Sequence, residues 1–194
     1  MRAALAVCFA LLSNLPAVAP TAEELVTYIL HGEEIAIQPG QEVAQIPGGV
    51  TRKISSSPAI VERVLGGGNF TSRLTISSGD KCRFKDVIET KVKDDPPSTV
   101  TLEFDFSNAA GLVTTWLDTR NSARIWRVQI TGLKRTGCSG RLYRPQLPPE
   151  TRRHLENMGC NADNGIPGLP VAEIYSTERA TRALVDLKTR FCKE

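Results

Sequence analysis

A chain of 194 residues that is 41% hydrophobic carries enough apolar material to bury a real core, and its length fits a single domain. The 24 basic and 21 acidic residues leave a formal charge of only +3, with no run of like charge. That excludes the electrostatic footprint a nucleic-acid binder needs.

Residues 1–19 read as a secretory signal, with Arg2 ahead of an apolar run at 3–12 and small residues at Ala17-Val18-Ala19. The apolar run is too short to span a bilayer, so the expected product is an exported domain over residues 20–194 with no stable membrane insertion. Cleavage after Ala19 leaves Pro20 at the new terminus, where its fixed backbone hinders a protease, and cleavage after Ala17 is the alternative. Leu5-Ala6-Val7-Cys8 loosely resembles a lipoprotein box but lies too close to Met1 to follow a full apolar region.

Loss of the signal removes Cys8 and leaves Cys82, Cys138, Cys160 and Cys192. An even count in an exported chain predicts two disulfides and a periplasmic or extracellular address. These cysteines lack the close paired spacing of a zinc knuckle, with only His31 and His154 to join them, so no metal or other cofactor is expected.

Thr21-Ala22-Glu23-Glu24 is a capping box, so a helix should begin at Ala22. Leu25, Val26, Ile29 and Leu30 fall on one side of it and Gly32 can end it, which predicts a helix covering a core. Residues 33–58 suit short strands or an irregular approach to a sheet. Residues 58–65 read as a strand whose turn, Gly66-Gly67-Gly68-Asn69, leads into the next.

From Gly68 to Gly132 alternation dominates, and four or five strands of one antiparallel sheet are expected. Phe70, Leu74 and Ile76 share one parity; Cys82, Phe84, Ile88 and Val92 share the next, with Asp86 and Val87 breaking the pattern. Val100, Leu102, Phe104 and Phe106 face inward on a third strand. Residues 113–117 form a fourth, and Trp126, Val128 and Ile130 mark the last. Turns at 77–80, 94–97 and 120–122 are too short for crossover helices. One face should be wet and the other covered.

After Gly132 the glycines at 137 and 140, four basic residues and the prolines at 145, 148 and 149 predict a departure from the sheet. Pro149 opens a short helix through Met158, and residues 161–170 form a loop. Ser176 caps a closing helix whose Ala180, Ala183, Leu184, Leu187 and Phe191 recur at three and four residues. That stripe belongs on the covered face of the sheet. Cys82 points at whatever covers that face and Cys192 follows the stripe, so the expected pairing is Cys82–Cys192 with Cys138–Cys160. Cys82–Cys138 with Cys160–Cys192 is the rival, since four cysteines allow three connectivities.

The expected fold is therefore α+β: an antiparallel sheet of six to eight strands, curled or barrel-like, covered by a C-terminal helix, with an N-terminal helix. The chemistry is less marked. No Gly-x-Ser-x-Gly elbow occurs; His31 reads as a favourable charge at a helix end and His154 as a solvated residue. Glu103 and Asp105 share a strand face as glycosidase acids do, yet the same pattern is ordinary on a wet sheet. Asp94-Asp95 and Asp163-Asn164 lack calcium-loop spacing, Gly66-Gly67-Gly68 lacks the lysine of a phosphate loop, and Asn69-Phe70-Thr71 is a formal glycosylation acceptor. The best binding candidates are Lys134, Arg135, Arg141, Tyr143 and Arg144 on a disulfide-braced loop, with Trp116 as an aromatic platform. The expected role is a non-enzymatic module binding a protein, envelope or extracellular ligand. The alternatives are a hydrolase of an extracellular polymer using Glu103 with Asp105, or His154, and a carrier of a small apolar ligand inside a curled sheet.

Overall fold

The computed structural model describes residues 19–32, 42–46, 49–80, 82–118, 124–141 and 176–193. Its first element is α1 (Ala22–His31), opened by the capping box as expected. The Thr21 hydroxyl accepts from the Glu24 N–H at 3.2 Å, and the Glu24 carboxylate accepts from the Thr21 N–H at 2.8 Å. Gly32 closes the helix in the left-handed region at φ 68°, where a side chain would be strained.

Strands β1 (Glu42–Ile46), β2 (Gly49–Ser56), β3 (Ala59–Leu65), β4 (Phe70–Ser78), β5 (Arg83–Val92) and β6 (Ser98–Asp105) follow as an antiparallel meander. β7 (Gly111–Asp118) and β8 (Arg124–Thr131) pair with one another, and β9 (Lys134–Arg141) returns to β6. The main sheet has seven strands in the order β1-β2-β3-β4-β5-β6-β9, while β7 and β8 make a separate two-stranded sheet. The last described helix is α2 (Thr177–Arg190), capped by the Ser176 hydroxyl.

The alternation expected for β4 to β6 is realised: Leu74, Ile76, Phe84, Val100, Leu102 and Phe104 are buried on one face. Phe84 meets Phe106 edge to face with ring centroids 5.6 Å apart. α1 lies against β3 and β4 on this face, and α2 packs on α1 and β7. Ala180, Ala183, Leu184 and Leu187 of α2 are buried in the same cluster. The sheet stays open rather than closing into a barrel; α1 covers one of its faces, and α2 packs on α1 and β7.

Cys82 and Cys192 form the expected disulfide, with Cα atoms 4.9 Å apart, joining the end of α2 to the start of β5. Cys138 is also disulfide-bonded; Cys160 lies outside the described residues. No helix among the described residues is long and apolar enough to cross a membrane.

Three expectations need correction. Residues 113–117 and 126–130 are strands, but they leave the main sheet and pair as an arm, because alternation reveals a strand without saying which sheet it joins. The segment after Gly132 does not depart from the sheet: Lys134–Arg141 is its edge strand. A register shift between Glu103 and Phe104 leaves Thr136 outside the pairing, which together with Gly137 and Gly140 hides the period-two pattern. Third, α1 is buried at every one of its 10 residues, where a one-sided cover was expected.

Candidate functional site

Every side chain of α1 needs a partner because the helix lies between the sheet and α2. Glu23, Thr27 and His31 recur at four-residue spacing and so line one side of it. The Glu23 carboxylate accepts hydrogen bonds from the Ser78 hydroxyl at 2.7 Å and the Ser57 hydroxyl at 3.1 Å. Glu24 is ion-paired with Lys53, which projects from β2 onto the covered face and is 5% exposed. Burial alone would raise the Glu24 carboxyl, but the Lys53 ammonium, the Thr21 N–H and Ser56 outweigh it and hold the group below the usual glutamate range.

His31 does not simply face the helix dipole, as its position had suggested. Its Nε2 lies 2.8 Å from Asp86 Oδ2, and the two side chains are 4% and 1% exposed. Asp86 breaks the apolar alternation of β5 because it occupies the covered face between Phe84 and Ile88 to reach this histidine. Asp86 Oδ1 has no hydrogen-bond partner among the described residues. The result is a dyad of acid and base geometry enclosed between helix and sheet. Sequence reasoning missed it, although a charged residue on an inward parity, at Lys53 and again at Asp86, was a usable signal that each met an opposite group.

The residues expected to bind are only partly brought together. Lys134 and Arg135 sit on β9, as does the Arg141 backbone. Lys134 is opposite Asp105, on the open face, whereas Arg135 is opposite Phe104, on the covered face, so these two residues lie on different faces of the sheet. The expected disulfide-braced loop is at this point a strand. Trp116 is on the arm, in direct register with Trp126. Tyr143, Arg144 and His154 lie outside the described residues, as do Asp163 and Asn164.

The arm is pinned at its base. Ile130 is buried and Leu112 is partly buried against the core, while Val113 is 52% exposed. The Ala110 N–H donates to the Thr131 carbonyl at 2.9 Å and the Leu133 N–H to the Ile130 carbonyl at 3.3 Å. Gly132, at φ 77°, lets the chain turn back from β8 into β9; a Cβ there would lie 2.0 Å from the Asn108 carbonyl oxygen.

The proposed hydrolase acids stand apart from any such enclosure. Glu103 is exposed on the open face. Asp105 accepts from the Ser107 N–H at 2.8 Å and lies 3.9 Å from Arg83. The Ser107 hydroxyl and N–H hold the Asp105 carboxyl below its usual range. Among the described residues no group of three or more His, Cys, Asp or Glu side chains is placed to hold a metal.

A cleft of about 480 Å³ opens between the start of α1, the β4–β5 turn and the end of α2. Glu23, Ser78, Phe84, Arg190 and Phe191 are on its walls beside Cys82. The Arg190 guanidinium donates to the Pro20 carbonyl at 3.1 Å and lies 4.7 Å from the Phe191 ring centre. Its polar groups thus already serve contacts within the molecule: Glu23 with Ser57 and Ser78, and Arg190 with the Pro20 carbonyl.

Comparison with protein-family models, with curated proteins and with solved structures finds no match to this chain.

Proposed function

We propose that this chain is an exported, disulfide-stapled, non-enzymatic interaction domain that binds a protein partner through the β7–β8 arm and the adjoining edge strand β9. The observation that carries the reading is the path of the chain. After β6 it leaves the main sheet, builds two strands that pair only with each other among the described strands, and returns to lay β9 beside β6. The seven-stranded sheet needs no such excursion to be complete. A two-stranded ribbon on its own is marginal in water; α2 packs on β7, while Val113 of β7 is 52% exposed, which supports a role for the ribbon's outer side in contact.

The ionisable groups inside the molecule support the same reading. Glu23, Glu24, Lys53, His31 and Asp86 face one another across the α1–sheet seam, which accounts for their burial without chemistry. Export is the natural setting for the Cys82–Cys192 disulfide. Site-specific photo-cross-linking in the producing cells tests the proposal. A photoreactive residue at Val113 on the arm should give a discrete adduct with a second protein, while one at Val185, equally exposed on α2, should not. Adducts at Val185 alone, or at neither position, would contradict it.

A further inference from the structure

The open face of the main sheet carries a pattern that the arm reading does not use. Its residues in register run Arg52 on β2, Glu62 on β3, Arg73 on β4 and Glu89 on β5, so the sign of charge alternates at each strand. Arg73 and Glu89 are exposed and Glu62 is half-buried. Beside this row runs a second, uncharged one: Ile60, Thr75, Val87 and Thr101, in register across β3 to β6 and half-buried. Ile54, bulged out of β2 next to them, is 41% exposed.

We propose that this face is a self-association surface whose occupant is a second copy of this chain. Charge complementarity under rotation favours this occupant. A two-fold axis parallel to the strands and running between β3 and β4 exchanges those strands between copies. It therefore sets Glu62 against the second copy's Arg73, Arg52 against its Glu89, and the Ile60–Thr75 row against itself. An axis through β4 would instead oppose Glu62 with Glu89, so the alternating row favours an axis between strands over one through a strand. Two sheets packed face to face lie about 10 Å apart, a gap that an arginine and a glutamate reaching toward each other can bridge. Opposed charges that lose water gain little net energy, so the association should be weak and sensitive to salt.

Within one chain the same alternation favours the cross-strand neighbours Glu62 and Arg73, so a single substitution does not separate the two roles. Mixing two variants does. Sedimentation equilibrium of the mature chain from micromolar to millimolar concentration should show a reversible dimer, with its association constant falling about tenfold or more as salt is raised. Glu62→Arg alone and Arg73→Glu alone should each be folded monomers by circular dichroism. Their equimolar mixture should restore a dimer, because each copy then supplies the sign the other lacks. Thr75→Arg, which leaves the charged row intact, should also remain monomeric. A chain that is monomeric throughout, a dimer indifferent to these substitutions, or a mixture that fails to reassociate would overturn the proposal.

Discussion

The two helices share an apolar core and are fixed in it by different chemistry. α2 presents a dry stripe of Ala180, Ala183, Leu184 and Leu187, donates from Lys188 and Arg190 to backbone carbonyls of Phe106 and Pro20, and is fixed at its end by a covalent bond to Cys82, just before β5. α1 has no wet side at all: Leu25, Val26, Ile29 and Leu30 join the same apolar core as the sheet, and beside them Glu23, Glu24 and His31 reach Ser57, Ser78, Lys53 and Asp86. A dry stripe tolerates sliding, because dispersion and hydrophobic contact are weakly directional. A buried polar seam admits one register, since any slip leaves charged groups without partners. Both helices share the apolar core; the N-terminal one adds a buried polar seam that fixes its register, and the C-terminal one adds a covalent staple. Tyr28 couples them: its hydroxyl accepts from the Ser176 N–H at 3.3 Å, and Arg179 lies 5.0 Å from its ring centre.

The largest effect should come from breaking the polar seam on one side. His31→Leu strands the Asp86 carboxylate at 1% exposure and should lower unfolding stability by about 4 kcal/mol in denaturant titration. Removing the staple with Cys82→Ala/Cys192→Ala should cost about 3 kcal/mol, because the bond closes a sequence separation of 110 residues. Leu187→Ala, in the fully buried stripe, should cost about 2 to 3 kcal/mol from lost transfer energy and a cavity. Ser176→Ala removes the α2 cap and should cost about 1 kcal/mol.

Acid should separate the seams without mutation. Glu24 is depressed below its unfolded value of 4.5, so its contribution is present above that pH and is lost as pH falls through the lower folded value. Hydrogen exchange in that acid window should loosen the α1 amides before those of α2. Loosening of α2 first would show that the two attachments have been assigned the wrong way round.

What the sequence disclosed follows from the range of each interaction. The α2 stripe is written in consecutive turns, and Cys82 shares a parity with Phe84, so both the helix and its disulfide partner were legible. The strands from Phe70 to Asp105 were legible for the same local reason. The polar seam was not, because His31 and Asp86 are 55 residues apart and each looks like an irregularity until the other is in place. Nor was β9, whose bulge and glycines erase alternation, nor the arm, whose strands carry the same pattern as those of the sheet it leaves. Of the basic cluster, Lys134 and Arg135 are adjacent in sequence and set on opposite faces by the pleat. The candidate site was thus less readable than the fold.

A non-enzymatic scaffold requires its buried ionisable groups to be structural. A double-mutant cycle on His31 and Asp86, followed by urea unfolding, tests this most directly. The prediction is that His31→Leu and Asp86→Leu each destabilise, while the double replacement recovers most of the loss, with a coupling of about 2 kcal/mol or more. Single variants as stable as the native chain, or more so, would mean that the pair is retained against stability for chemistry, and the reading of this protein as a non-enzymatic scaffold would be wrong.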